Sequence, residues 1–142
     1  MKLIPFHPSH VQWLQEPVAG VTDHMRNPMV NWEDWARDHV DEGSAYTGID
    51  DDNNIIACGG IVRLWHQHGD AWFYGTHHLP KHIKSVVKVL RRSIEIIADK
   101  KDYKRVSTHV LADWEEALRF IKFLGFKEEG FHPKYGPEET DY

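Results

Sequence analysis

Residues 71–111 read AWFYGTHHLPKHIKSVVKVLRRSIEIIADKKDYKRVSTHVL, and the fold turns on the change of period inside this stretch. Ala71 to His77 is short, aromatic and β-prone, which predicts a strand. From Ile83 onward the apolar residues Ile83, Val86, Val87, Leu90, Ile94 and Ile97 recur at helical spacing. Lys84, Lys88, Arg91, Arg92 and Glu95 fall mostly on the other side, so the pattern predicts an amphipathic helix over 82–99. Pro80 stands just before it, where a missing amide costs nothing. Arg105 to Leu111 is β-rich again. A strand, a helix and a strand in this order form a β-α-β unit, which requires a parallel strand pair with a right-handed crossover.

Upstream, His68-Gly69-Asp70 reads as a turn, preceded by a strand from Ile55 to Trp65, an acidic turn over Asp50–Asn54 and a strand from Ala45 to Ile49. These three strands predict an antiparallel meander. Lys2 to Phe6 reads as an opening strand, and Pro8 starts a short helix carrying Val11, Trp13 and Leu14. Residues 17–30 are irregular, broken by Pro17, Gly20 and Pro28. Asn31 fits an N-cap, with Glu33 and Asp34 in the first turn and Trp32, Trp35, Ala36, His39 and Val40 at helical spacing until Gly43. Downstream, Asp113 with Glu116 resembles a capping box ahead of Trp114, Ala117, Leu118, Ile121 and Leu124, and Gly125 ends that helix. Phe126 to Phe131 reads as a sixth strand, before a polar tail over 132–142. The expected fold class is one α/β domain over 1–142: a mixed, mostly antiparallel central sheet with helices on both faces. Within it, 1–43 supplies a strand and two helices, 44–79 the meander, and 80–131 the β-α-β-α-β region.

The chain has 142 residues, the size of one domain, and its 41% hydrophobic and 27% charged residues suit a packed core rather than disorder. One cysteine, Cys58, excludes an internal disulfide and fits a reducing compartment, hence a cytoplasmic location. No apolar run approaches the roughly 20 residues of a membrane span, and MKLIPFHPSH lacks the apolar core of a signal peptide. The net charge is −5, yet residues 81–105 hold nine basic residues against three acids, a local +6. Duplex nucleic acid is a poor partner for an acidic chain, whereas a local basic patch suits a small anion or a short charged partner. An ordinary solvated helix face reads the same patch equally well.

Residues 114–130, WEEALRFIKFLGFKEEG, place Ala117, Phe120, Gly125, Phe126 and Gly130 at the spacing N-x-x-A-x-x-F-Y-x-x-x-G-F-x-x-x-G. With the element order, this stretch resembles the Gcn5-related N-acetyltransferase (GNAT) superfamily over about residues 44–131; residues 1–43 share only the order of elements. The wording of AWFYGTHH and LRFIKFLGF is also similar to small GNAT-like proteins of tailed phages, some of which are virion-associated. The resemblance implies acetyl-coenzyme A bound where the strands at 71–77 and 105–111 splay into a V. It implies cofactor contacts at Phe73, Tyr74 and Gly75 on the strand and at Trp114. The pyrophosphate would sit at the helix opening, on Lys81, His82, Ile83, Lys84 and Ser85, where amides and the helix dipole attract phosphate. The activity implied is acetyl transfer to a primary amine on a small molecule or a protein.

This chain departs from the family pattern. The usual R/Q-x-x-G-x-G/A loop aligns with Lys81-His82-Ile83-Lys84-Ser85-Val86, so both small positions are filled. Trp114 replaces a common Asn, and Ile121 a common Tyr that protonates the leaving thiolate. Two readings therefore stand: an active transferase, and a domain that keeps the fold without the chemistry and acts as an interaction or virion-associated protein. Removing a proton from the attacking amine calls for a base. His77, His109 and Glu33 are the candidates, each equally readable as a surface polar residue. Cys58, between Ala57 and Gly59 in an apolar strand, reads as a buried inert thiol. His66, His68 and Asp70, with His77, His78 and His82, have no spacing specific for a metal, and none is expected. Trp13, Trp32 and Trp35 could line an acceptor cleft or a partner face, although core packing accounts better for Trp35 and Trp72. The short C-terminal tail leaves a sheet edge open, a route to a homodimer.

Overall fold

In the computed structural model, which describes residues 1–14, 32–40, 44–136 and 139–142, the period change within 71–111 becomes a strand, a long helix and a strand. The five-stranded sheet has the order β1-β2-β3-β4-β5, with β1 at Lys2–Pro5, β2 at Ala45–Ile49, β3 at Ile55–Trp65, β4 at His68–Gly75 and β5 at Arg105–Ser107. The first three pairings are antiparallel and β4–β5 is parallel, as the crossover demands. A 3-10 turn at Pro8–His10 leads into α1, Val11–Leu14; α2 is Trp32–His39, α3 is Leu79–Lys101 and α4 is Glu115–Phe123. Among the described residues no helix is long and apolar enough to cross a membrane.

Strand alternation sorts the side chains onto two faces. On one face Phe6, Val11, Leu14, Ala36, Ala45 and Cys58 form a core, with Trp35, Trp72, Tyr74 and Trp114 packed against it. A second cluster gathers Ile56, Ala57 and Val86 with Phe73, Leu79 and Phe120, and a third gathers Ile61, Ile97 and Tyr103. Gly60 is where β2 and β3 meet most closely. A Cβ there would lie 2.6 Å from the Ser44 carbonyl oxygen and 3.0 Å from Ala45 Cα. Backbone cannot swing aside as a side chain can, so Gly60→Ala is expected to cost about 2 kcal/mol. Urea unfolding checks this, with a lower midpoint at unchanged slope.

Several expectations change. The turn is at His66–Gln67, and β4 begins at His68 rather than at Ala71. Gly69 is a close-packing residue: a Cβ there would stand 2.4 Å from Ile61 Cγ2 and 3.1 Å from the Tyr103 ring. β5 spans three residues rather than seven, because its pairing with β4 ends at Asp70–Ser107. α3 starts at Leu79, with Pro80 inside its first turn. Trp114 occupies the N-cap of α4 without a side-chain cap bond, so the Asp113–Glu116 box does not form. Residues 126–131 are not a strand. Asn31, Gly43 and the irregular stretch 17–30 lie outside the described residues.

Candidate functional site

β4 keeps β3 as its partner from Gly69 to Gly75, but its pairing with β5 stops at Asp70–Ser107. Beyond that point the chain after β5 diverges, with Thr108 Oγ1 donating to the Ala71 carbonyl (2.9 Å). The strands thus splay into a V whose β4 edge, from Trp72 on, has no strand opposite it among the described residues. At the closed end of the V stands Asp70, on the same face as Trp72 and Tyr74. Ser107 Oγ donates to Asp70 Oδ1 at 3.3 Å and lies 2.7 Å from His68 Nε2. His109 Nδ1 is 3.8 Å from Asp70 Oδ1, and the His109 ring stacks on Tyr135. His39, at the end of α2, stacks on Trp35 at 4.0 Å and meets Trp72 edge-on. Its Nδ1–H donates to the Trp35 carbonyl (2.7 Å), which leaves Nε2 the proton-accepting nitrogen.

Burial is the main influence on the Asp70 carboxyl and pushes its pKa up; His109, the Ser107 hydroxyl, His68 and His39 pull the other way. Burial holds the His39 pKa below its usual value. A half-buried carboxyl whose pKa burial raises is more basic than an exposed carboxylate, which suits it to accept a proton.

The open end of the V is built by Gly75 and Thr76. A Cβ on Gly75 would sit 2.5 Å from Leu79 Cδ2, so glycine lets the first turn of α3 close over the strand end. Thr76 is buried; its hydroxyl donates to the Ile55 carbonyl (2.6 Å) and accepts from the His78 amide (3.2 Å). The N-terminus of α3 has no side-chain cap. Lys81, Lys84 and Ser85 are exposed around it, Ile83 is exposed, and His82 is half-buried. Because α3 begins at Leu79, Lys84 and Val86 lie beyond its first turn, and Val86 is buried against the sheet rather than on an approach to the helix end.

Of the three base candidates, only His109 reaches the cluster. His77 is exposed beside His78 past the far end of β4, roughly 16 Å or more along the strand from Asp70. Glu33 is exposed at the start of α2, and it is His39 at that helix's other end that feels Asp70. In the sequence Asp70 stands out only beside the histidines weighed for a metal, and Ser107 not at all, because HQHGDA reads as a turn; the alternation His68, Asp70, Trp72, Tyr74 was the available signal for a base. Trp35 and Trp72 pack in the core, Trp13 is exposed, and the Trp32 side chain lies outside the described residues. Phe73 meets Phe120 at a tilt, with ring centroids 5.1 Å apart. No group of three or more potential metal ligands occurs among the described residues.

Cys58 is buried, and burial pushes its thiol up to about 12 despite a 3.3 Å hydrogen bond with Thr47 Oγ1. It holds no thiolate at neutral pH and cannot serve as a nucleophile. The folded protein is expected to show no reaction with a disulfide reagent over hours, and one full equivalent in guanidinium; prompt native reaction would contradict the burial.

No protein-family model matches the chain, and no curated protein sequence matches it. Solved structures do. A protein described as a phosphinothricin N-acetyltransferase superposes with a TM-score of 0.75 at 15% identity, over 99% of this chain and 92% of its own. A mutant of the spermidine N-acetyltransferase of Vibrio cholerae gives 0.71 at 15%, over 99% and 88%. A GNAT-family acetyltransferase from Bacillus anthracis gives 0.70 at 10%, over 98% and 89%. Together with the splayed β4–β5 pair and the crossover helix between them, these likenesses show that the chain has the fold of the GNAT acetyltransferases.

Proposed function

We propose that the protein transfers an acetyl group from acetyl-coenzyme A to a primary amine, with Asp70 as the proton acceptor. The observation that carries this reading is the half-buried Asp70 carboxyl, its pKa raised, at the closed end of the V. The β4 edge over Trp72, Phe73, Tyr74 and Gly75 offers backbone groups to a pantetheine arm. The uncapped start of α3, with Lys81, His82 and Lys84, offers amides and positive charge to the phosphates; Ile83, Ser85 and Trp114 border that path. The amine nitrogen attacks the thioester carbon, the C–S bond breaks, coenzyme A leaves as thiolate, and the amine proton passes to Asp70. His109 and Ser107 hold the carboxylate in place. Positioning supplies most of the acceleration. Ile121 has no proton to give, so water protonates the thiolate.

A thiol-release assay with acetyl-coenzyme A and a panel of primary amines tests the reading: amine-dependent coenzyme A release supports it, and its absence across the panel refutes it. One observation favours a second reading, in which the domain keeps the fold and docks a protein, as a virion component would. Trp114, Trp72 and Tyr74 all pack against the core on one face of the sheet, and Phe120 meets Phe73 on the other, so large aromatics lie on both sides of β4. No heat on titration with millimolar acetyl-coenzyme A would favour that alternative. A homodimer through the open β5 side is compatible with either reading, and sedimentation across a wide concentration range decides it.

A further inference from the structure

A narrow apolar recess of about 80 Å³ lies between the sheet and α3. Val86, Leu90 and Ile94 line it from α3, and Ala71 and Phe73 from β4. Among the described residues it takes none from α1 or α2, and no aspartate, glutamate, lysine, arginine or histidine borders it. Two glycines leave the room. Gly48 pairs with Ala57 and Gly59 with Phe73, residues that cluster with Val86. Cross-strand partners share a face, so both glycines stand beneath α3 without a side chain to fill the space. The recess reaches the V at Ala71 and Thr108, which the Thr108 Oγ1 hydrogen bond to the Ala71 carbonyl joins, and Ile121 also lines it. Alternation along β4 sets Asp70 on the face opposite Ala71 and Phe73. The closed end of the V is therefore polar on one side, with Asp70, Ser107 and His109, and apolar on the other.

We infer that this recess is an acyl-chain subsite, so that the coenzyme A thioester used by the protein carries a short linear acyl group longer than acetyl. The inference rests on the transferase reading of the V and extends it to the donor. The bonds are those of acetyl transfer: N–C forms, C–S breaks, coenzyme A leaves as thiolate, and the amine proton passes to Asp70. An amine that attacks from the Asp70 side bends the other substituents of the thioester carbon away from it as that carbon becomes tetrahedral. The alkyl group is then directed toward Ala71, Phe73 and the recess. Volume sets its length. The recess, about 80 Å³, is roughly half the size of an apolar cavity that admits a benzene ring, and so holds about three chain carbons, the propyl part of a butyryl group. Ile121 suits this use, because its side chain borders an alkyl group and leaves no polar atom unpaired.

The test compares acetyl-, propionyl-, butyryl- and hexanoyl-coenzyme A on the full chain, by titration calorimetry and by thiol release with a primary amine in excess. Each methylene taken from water should tighten binding about 4-fold, so butyryl-coenzyme A is expected to bind about 10-fold more tightly than acetyl-coenzyme A. Hexanoyl-coenzyme A outruns the recess and should bind more weakly than butyryl. Ile121→Phe narrows the recess and should lower the butyryl-to-acetyl affinity ratio, whereas Leu90→Ala widens it and should move the optimum to hexanoyl. Two variants of opposite sign keep the inference testable where one of them does not fold. Affinity that stays level across the series, falls from acetyl onward or climbs on through hexanoyl overturns the inference. Amine-dependent turnover of acetyl-coenzyme A alongside any of these would leave the transferase reading standing. Binding that peaks at butyryl without any thiol release would uphold the subsite and refute the transfer. No heat with any of the four thioesters overturns both.

Discussion

Asp70→Asn is expected to slow acetyl transfer by about 10²- to 10³-fold, the usual contribution of a positioned general base, and to leave acetyl-coenzyme A affinity unchanged. The thiol-release rate reads the first effect and titration calorimetry the second. The substitution keeps the shape and the hydrogen bond from Ser107 Oγ, so a loss of rate alone isolates proton transfer. Wild-type activity should fall as pH drops through the Asp70 pKa, which burial raises. Stability moves the other way. A carboxyl whose folded pKa is raised favours the folded state most when protonated, and that contribution is lost as pH rises through the folded value. Asp70→Asn should therefore raise the Tm at neutral pH, with a gain that shrinks on acidification. A variant at once more stable and less active is the signature of a group kept for chemistry. An inactive variant with a lowered Tm would instead assign Asp70 a structural role.

Replacing Lys81 and Lys84 together by Glu is expected to weaken acetyl-coenzyme A binding on the order of 30-fold, because two attractive charges become repulsive beside the phosphates. Both lysines are exposed, so stability should change by no more than about 0.5 kcal/mol. The wild-type affinity should also fall with added salt, and that dependence should flatten in the double variant. Unchanged affinity would move the phosphates away from the start of α3.

How far the sequence spoke depends on which force set each element. β3 was legible to the residue, because its polar turn and its partners on both sides obey local rules. The stripe of α3 was equally plain, yet its start was misplaced by three residues, since Leu79 and Pro80 open the helix only because Gly75 lets Leu79 fold back over the strand end. β4 lost its first three residues to a turn signal, although Gly69 is there to admit Ile61 and Tyr103. That error hid Asp70, and with it the proposed proton acceptor. Asp70 draws its character from burial and from His39, His68 and His109, which arrive from α2, the start of β4 and the exit of β5. No local pattern encodes such a meeting. Residues 126–131 carry only two β-formers, Phe126 and Phe131, and pair with no strand among the described residues, so element order alone suggested a sixth strand there.

On the proposed function, acetyl-coenzyme A enters the V between β4 and β5. Hydrogen exchange of the intact chain with and without acetyl-coenzyme A tests it most directly. Slower exchange is predicted at 72–82, along the free edge of β4 and through the first turn of α3, and at 108–112 on the diverging arm. Unchanged exchange over these residues at saturating ligand, or protection confined to the far side of β5, would contradict it.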